Sequence, residues 1–238
     1  MFFSIKELVD MGITLPKKPS NIKISKKASL YNAHLMRLGD NIRIDDFCIL
    51  SGNIKIGSFI HIGTFCALYG GNKVSKDTGI VIENFCTLSP KAMIFASSDD
   101  FSGEFLISPM VSSDFSNVTN AKVLLKEHTS ICANAIILPG VVCEVGSVLG
   151  AMSLLKNNTE SFSIYTGIPA FKVKNRSKKL LKLEKEFLSK FELWGGVKAS
   201  LFLFIQLFIQ SNIYKHSHTL KYSHHISKLL KNQQLNVV

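Results

Sequence analysis

A hydrophobic residue recurs at every sixth position through two long stretches of the sequence. Its members are Leu38, Ile44, Leu50, Ile56, Ile62 and Leu68 in the earlier stretch, and Leu125, Ile131, Ile137, Cys143, Leu149 and Leu155 in the later one. A period of six fits neither the 3.6-residue turn of an α-helix nor the alternation of a simple strand. It is typical of a β-solenoid, in which short strands and corners stack coil upon coil. We therefore predict an all-β solenoid over residues 21–170.

Other segments are added to this column. Residues 1–20 predict a short N-terminal helix and a connector, with Ser4 and Glu7 as a candidate capping box. Residues 100–122 break the repeat as a long inserted loop, and such loops usually carry function. Residues 171–194 place apolar residues at helical spacing, which predicts a C-terminal helix. Residues 195–238 form a basic, apolar tail with no assigned role, although its apolar part could form a second helix.

The positive charge is concentrated at the C-terminal end. Residues 171–238 hold 13 Lys and Arg against 3 Asp and Glu, whereas residues 1–170 are almost neutral. The solenoid therefore offers no basis for a nucleic-acid partner, and peripheral contact of the tail with a membrane surface is the alternative to a solvated tail. No signal peptide is evident, and the longest apolar run is too short to cross a bilayer. We predict a cytoplasmic protein, with membrane association through the tail left open.

We predict that the five cysteines are core residues. Cys48, Cys66 and Cys86 each follow a phenylalanine, and the first two are eighteen residues apart, which is three repeats of six. We predict that these three cysteines stack in successive coils as buried thiols, which suit a reducing compartment. The histidines of the tail have no further ligand set beside them, so no metal is expected.

Three motifs carry a family resemblance. They are residues 131–142 (ICANAIILPGVV), residues 150–153 (GAMS) and residues 165–170 (YTGIPA), in this order. Together they resemble the hexapeptide-repeat acyltransferases, and the loop at residues 98–104 is similar to that of sugar O-acetyltransferases serving bacterial surface-polysaccharide biosynthesis. The resemblance implies a left-handed parallel β-helix, whose hand does not follow from the spacing. It also implies a homotrimer that binds acetyl-CoA in a groove between neighbouring solenoids.

The same resemblance implies where the coenzyme binds. The family's cofactor positions correspond to Ala133, Ala151, Lys156, Lys172 and Lys174. The two alanines would leave room for the pantetheine arm, and the lysines after Pro169 would meet phosphate as point charges. Lys156 stands where the family usually has a threonine, so that contact is the least secure of the set.

Acyl transfer to a sugar needs a base that accepts the proton of the attacking group. Many relatives place a histidine in the loop that here contains Asp99, Asp100 and Glu104, and this chain has no histidine there. Either aspartate could be the base if burial raised its pKa, or both could bind the acceptor together with Glu104. His128 is the alternative base, since its ordinary pKa lies near neutrality.

These observations predict an acetyl-CoA-dependent O-acetyltransferase that modifies a sugar hydroxyl. The first alternative is an N-acetyltransferase acting on a nucleotide-linked amino sugar. The sequence hardly distinguishes this alternative from O-acetylation. The second alternative is a catalytically inactive β-helix that serves as a scaffold. The missing loop histidine favours the scaffold, whereas the intact coenzyme motifs oppose it.

Overall fold

A computed structural model describes residues 1–191 of the chain. They comprise helix α1 (Ile5–Asp10), two short 3-10 turns (Ala33–Leu35 and Ser113–Phe115), a helical segment at residues 180–191, and short strands. In chain order the strands are β1 (Ile22–Ile24), β2 (Ser29–Tyr31), β3 (Met36–Leu38), β4 (Ile42–Ile44), β5 (Ile49–Ser51), β6 (Ile54–Ile56), β7 (Ile60–Ile62), β8 (Ala67–Tyr69), β9 (Ile80–Ile82), β10 (Thr87–Leu88), β11 (Met93–Phe95), β12 (Ser97–Asp99), β13 (Val118–Asn120), β14 (Val123–Leu125), β15 (Ser130–Ile131), β16 (Ile136–Ile137), β17 (Val142–Cys143), β18 (Val148–Leu149), β19 (Leu154–Leu155), β20 (Ser163–Gly167) and β21 (Ala170–Asn175).

Strands of successive coils pair in parallel and build three sheets. The eight-stranded sheet has the order β1-β4-β7-β10-β15-β18-β20-β21, the six-stranded sheet β2-β5-β8-β11-β16-β19, and the five-stranded sheet β3-β6-β9-β14-β17. The sheets are the three faces of a left-handed parallel β-helix, which confirms the predicted fold. The final pair, β20 and β21, is antiparallel.

The residues of the six-residue repeat point into the centre of the solenoid. Each of the twelve is at most 6% exposed, and all belong to one hydrophobic core. Burial of a side chain of this size contributes roughly 1.5–3 kcal/mol relative to exposure. The repeat therefore marks the core directly.

The chain turns between faces at three corners. Corner 1 leads from the eight-stranded to the six-stranded sheet (residues 25–28, 45–48, 63–66, 89–92, 132–135 and 150–153), corner 2 leads to the five-stranded sheet (32–35, 52–53, 70–79, 96–122 and 138–141), and corner 3 returns to the eight-stranded sheet (39–41, 57–59, 83–86, 126–129 and 144–147). From residue 39 onward, each turn at corners 1 and 3 contains a residue with positive φ near 60°, including Phe65 and Phe85. Hydrogen bonds to the adjacent coil hold this conformation, such as Phe65 N–H to the Asp46 carbonyl at 3.1 Å.

Cys48 and Cys66 stack in corner 1, as predicted, but Cys86 does not lie above them. Cys86 lies in corner 3, because residues 70–79 lengthen corner 2 by eight residues and shift the following repeats by one face. The prediction that all three occupy one column is therefore wrong. Cys86 is nevertheless fully buried, and burial raises the pKa of its thiol to about 12, so it is a neutral core residue at physiological pH.

The ends of the described chain partly follow the prediction. The capping box of Ser4 and Glu7 is present on α1. Residues 170–175 form strand β21, whereas a helix was predicted from residue 171; the helix begins at residue 180, in a second compact unit that starts at Lys179. The alternation of Phe171 and Val173 with two lysines explains the strand. The predicted tail, with its histidines and second helix, lies outside the described residues. No helix within residues 1–191 is long and apolar enough to cross a bilayer.

Candidate active site

Two of the predicted coenzyme residues lie in adjacent coils of corner 1. Ala133 is half-buried and Ala151 is exposed, and the backbone N–H of Met152 donates to the carbonyl of Ala133 at 3.0 Å. Their methyl groups leave the outside of this corner open, with backbone groups close to the surface. Binding of a long, amide-rich ligand along this column stays a prediction from the family resemblance.

The three predicted lysines are separated from one another. Lys172 and Lys174 are exposed on β21, at the edge of the eight-stranded sheet, whereas Lys156 follows β19 and enters corner 2. The ammonium group of Lys172 pairs with a carboxylate oxygen of Glu160 at 2.7 Å. Within residues 1–191, Lys174 and Lys156 make no ion pair, so their charges are the more available ones for a phosphate.

The inserted loop leaves the solenoid at corner 2 on a two-stranded ribbon. Strands β12 and β13 pair antiparallel, with Ser97 opposite Asn120 and Asp99 opposite Val118. The ribbon passes beside the glycine at position 71, where an added Cβ would lie 3.0 Å from the side-chain oxygen of Asn120. The predicted loop over 100–122 is thus shorter, because its last residues form β13.

Asp100 closes the base of this loop. One carboxylate oxygen accepts from the backbone N–H of Ser102 at 2.8 Å, and the other accepts from the side-chain amide of Asn117 at 2.7 Å. The hydrogen bonds from Ser102, followed by that from Asn117, hold the pKa of Asp100 below its ordinary value. This direction is opposite to the raised pKa that a base role for Asp100 would need, and both carboxylate oxygens are engaged in shaping the loop. A base role for Asp100 stays a prediction.

Asp99 and Glu104 are both exposed on the same loop. Asp99 ends β12, so its backbone position is set by the ribbon, whereas Glu104 lies in the irregular part beyond Ser102. An aspartate on a paired strand is held more firmly than a glutamate on a loop. The structure therefore keeps Asp99 as the better placed of the predicted acidic residues.

His128 is a corner residue packed in an aromatic column. It lies in corner 3 with φ of 61° and is only 8% exposed. Its ring stacks on Phe85 at 5.2 Å between centroids, and Phe85 stacks on Phe59 at 4.7 Å. Its carbonyl accepts from the guanidinium of Arg176 at 2.8 Å. Because the acidic loop leaves from corner 2, one chain does not place His128 in the same corner as Asp99.

We expect His128→Phe to retain activity. Phenylalanine already occupies the equivalent positive-φ positions of corner 3 at residues 59 and 85, so the ring stack and the backbone conformation are preserved. Steady-state kinetics should give a kcat within about threefold of the wild type, whereas loss of a general base costs roughly 100-fold or more. A fall of that size in His128→Phe, with unfolding unchanged, would assign the base to His128.

Ser89 is a residue that sequence reasoning passed over. It opens corner 1 in the fourth coil, one coil below Ala133, and is half-buried. Its backbone N–H donates to the Ile131 carbonyl at 2.8 Å, so its position is held by the coil above. The sequence did contain a signal for Ser89: its hydroxyl lies at the first position of corner 1, which is a glycine at Gly63 and Gly150 in other coils. Within residues 1–191 no group of three His, Cys, Asp or Glu side chains is arranged to hold a metal.

Comparisons with known proteins point to one kind of enzyme. No protein-family model matches the sequence. The chain is 37% identical over 170 residues to dTDP-4-amino-4,6-dideoxy-D-glucose acyltransferase of Escherichia coli, a match that covers 70% of this chain and 85% of that protein.

Solved structures agree with this relationship. The N-acyltransferase AntD of Bacillus cereus, in complex with dTDP and 3-hydroxybutyryl-CoA, is 42% identical, with a TM-score of 0.74 over 80% of this chain and 98% of that one. A serine variant of AntD, in complex with dTDP-4-amino-4,6-dideoxyglucose and coenzyme A, is 42% identical with a TM-score of 0.73 over 79% of this chain and 97% of that one. Other AntD variants replace an aspartate ten residues after that serine.

Proposed function

The chain belongs to the hexapeptide-repeat acyltransferases and uses acyl-CoA, and we propose that it acylates the amine of a dTDP-linked 4-amino-4,6-dideoxyglucose. The observation that carries this proposal is the 42% identity with AntD over nearly that enzyme's whole length. The open column at Ala133 and Ala151 supports it, since both small residues predicted for coenzyme binding stand in one corner.

The prediction of O-acetylation of a sugar hydroxyl is wrong. The Escherichia coli relative is an acyltransferase of a dTDP-linked amino sugar, and AntD of Bacillus cereus is an N-acyltransferase. The first alternative, N-acylation of a nucleotide-linked amino sugar, replaces it. The acidic loop without a histidine, which had favoured an inactive scaffold, is compatible with an active enzyme once the acceptor is an amine.

The reaction joins the amine to the acyl carbonyl. The amine nitrogen attacks the thioester carbon, a C–N bond forms, the C–S bond breaks, and coenzyme A leaves as its thiolate. The attacking nitrogen loses one proton, and the leaving sulfur gains one. A carboxylate can take the nitrogen's proton because an amine that is bonding to a carbonyl becomes strongly acidic.

We assign the base to Asp99. The varied serine and aspartate of AntD lie ten residues apart. Ser89 and Asp99 are the serine and aspartate of this sequence with that spacing. Asp99 is exposed at the end of β12, and Ser89 is half-buried in corner 1. Ser89 is then a candidate for binding the amine or the carbonyl oxygen through its hydroxyl.

Two further points are part of the proposal. Acetyl-CoA remains our predicted acyl donor, and 3-hydroxybutyryl-CoA, which AntD binds, is the alternative donor to test beside it.

A homotrimer remains our predicted assembly. Partly exposed apolar side chains on the upper coils support it, namely Val81, Leu124 and Val142 on the five-stranded face and Val148 and Ile164 on the eight-stranded face.

The test compares two acceptors that differ at one atom. We expect thiol release from acetyl-CoA or 3-hydroxybutyryl-CoA with dTDP-4-amino-4,6-dideoxyglucose, and a rate at least about 100-fold lower with dTDP-6-deoxyglucose, which carries a hydroxyl at the same carbon. A hydroxyl is the poorer nucleophile and keeps its proton at neutral pH. Mass spectrometry of the product identifies the amide. Equal rates with both acceptors, or turnover with neither, would contradict the proposal.

A further inference from the structure

Basic side chains project from two neighbouring faces of the solenoid in its N-terminal coils. The outward residues in register on the five-stranded face are, from the first coil upward, Arg37, Lys55, Val81, Leu124 and Val142. On the eight-stranded face they are Lys23, Arg43, His61, Thr87, Ser130, Val148 and Ile164, followed by Lys174 on the antiparallel edge strand β21. In the parallel coils, basic residues thus give way to neutral and then apolar residues along both columns. We call Lys23, Arg37, Arg43, Lys55 and His61 the basic strip.

The strip holds like charges at close spacing. Arg37 pairs in register with Lys55, so the two side chains leave neighbouring parallel strands about 4.8 Å apart. Like charges directly opposite each other in a sheet are destabilising. Both residues are exposed, and within residues 1–191 neither makes an ion pair. Other surface lysines do, for example Lys126 with Glu144 at 2.8 Å.

On the other side of corner 3, one carboxylate organises the strip. Asp45 accepts from the guanidinium of Arg43 at 2.7 Å and lies 2.8 Å from the imidazole Nε2 of His61. Burial opposes ionisation of Asp45, but hydrogen bonds from His61 and Arg43 outweigh it and keep the pKa of the carboxyl below its ordinary value. Asp45 thereby fixes the two side chains while their outer donors remain at the surface.

The location separates this strip from the coenzyme residues. Arg37 and Lys55 lie on the face between corners 2 and 3, in the lower coils, whereas Ala133 and Ala151 lie in corner 1 of the upper coils. The inserted loop with Asp99 leaves corner 2 in the fourth coil, and corner 2 borders the face that carries Arg37 and Lys55 in the first two coils. An anion bound by these two residues would therefore lie on the side of the solenoid from which the loop leaves, and away from the coenzyme column.

We propose that the basic strip, with Arg37 and Lys55 at its centre, binds the diphosphate of the nucleotide-linked acceptor. The inference rests on the proposed function, which supplies a substrate with a diphosphate. A guanidinium binds phosphate oxygens in a bidentate manner and an ammonium acts as a point charge, so the pair suits adjacent phosphates. Binding would also relieve the repulsion between the two cations.

The test uses the full-length protein and the variant Arg37→Gln/Lys55→Gln. Isothermal titration with thymidine diphosphate and with coenzyme A gives the two affinities, and steady-state kinetics gives KM and kcat. The control is Lys6→Gln/Lys76→Gln, which removes the same charge from exposed sites outside the strip. We expect Kd for thymidine diphosphate and KM for the sugar nucleotide to rise at least about tenfold in the strip variant. Coenzyme A affinity and kcat should change less than threefold, and the control should match the wild type.

Each other outcome overturns the inference. If the wild type turns over the dTDP-amino sugar but the strip variant keeps its KM, the proposed function holds and the diphosphate site is elsewhere. An equal loss of coenzyme A affinity would assign the strip to the coenzyme. If the wild type neither binds thymidine diphosphate nor turns over the amino sugar, the proposed function fails as well. Wild-type binding to phosphatidylserine vesicles that the strip variant loses, without any change in KM, would make the strip a lipid-binding surface.

Discussion

Replacing Asp99 with asparagine should reduce kcat by about 100-fold to 10,000-fold, because asparagine cannot accept the proton that leaves the amine. The substitution keeps the size and one oxygen of the side chain, and Asp99 is exposed at the end of β12, so the fold should not change. Kd for coenzyme A and for thymidine diphosphate should stay within about threefold.

Asp100→Asn is the matched control for this experiment. Asp100 is the next residue, but its two oxygens accept from Ser102 and Asn117 at the base of the loop. Asparagine can replace only one of these acceptors, so the loop should loosen and KM for the sugar nucleotide should rise, while kcat falls less than about tenfold. A larger loss of kcat in Asp100→Asn than in Asp99→Asn would reverse the assignment of the base.

Gly52→Ala should cost about 3–5 kcal/mol of unfolding free energy or prevent folding altogether. Gly52 lies in corner 2 with φ of +85°, and a Cβ there would meet the carbonyl oxygen of Gly71. That oxygen also accepts from the backbone N–H of Asn53 at 2.9 Å, so it cannot move away without breaking the ladder between the coils. Urea unfolding at one fixed protein concentration measures the loss, since association would add a concentration-dependent contribution.

Gly103→Ala separates the clash from the backbone strain. Gly103 has nearly the same φ, +88°, but an added Cβ would have nothing within 4 Å. Strain alone costs roughly 1–2 kcal/mol, and on an exposed loop it should scarcely affect global unfolding. Equal destabilisation in the two variants would show that contact with Gly71 is not the cause.

The core of the fold could be predicted because it repeats. In a β-solenoid with a six-residue period, each repeated aliphatic side chain points into the core, and the residues from Leu38 to Leu68 follow this period without a gap. The placement of Cys86 failed at the next step, because the length added between Tyr69 and Ile80 decides which corner follows, and an insertion carries no periodic signal. The hand of the coil came only from family resemblance.

The site was less predictable, because the contacts that define it have no periodic signal in the sequence. Asp99 and Asp100 are adjacent residues of the same type, so the sequence does not distinguish them. In the structure, Asp100 is the one that accepts hydrogen bonds from Ser102 and Asn117 and holds the loop. His128 was a candidate base because it is a histidine, and its stacking on Phe85 could not be predicted because it depends on the alignment of two coils. No motif in the sequence distinguished a sugar hydroxyl from a sugar amine as the acceptor, so the type of acceptor could not be predicted.

The first coil of the solenoid does not offer a bare edge. Phe2 forms an antiparallel bridge with Ser25, the N–H of Phe3 donates to the carbonyl of Ile24, and Thr14 pairs with Arg37 along β3. A parallel solenoid is otherwise a template onto which another chain can add strand by strand, as in amyloid. By running antiparallel beside the end of β1, the N-terminal residues occupy the carbonyl of Ile24. The short N-terminal segment therefore obstructs the addition of another chain at the end of β1, which would serve solubility rather than catalysis.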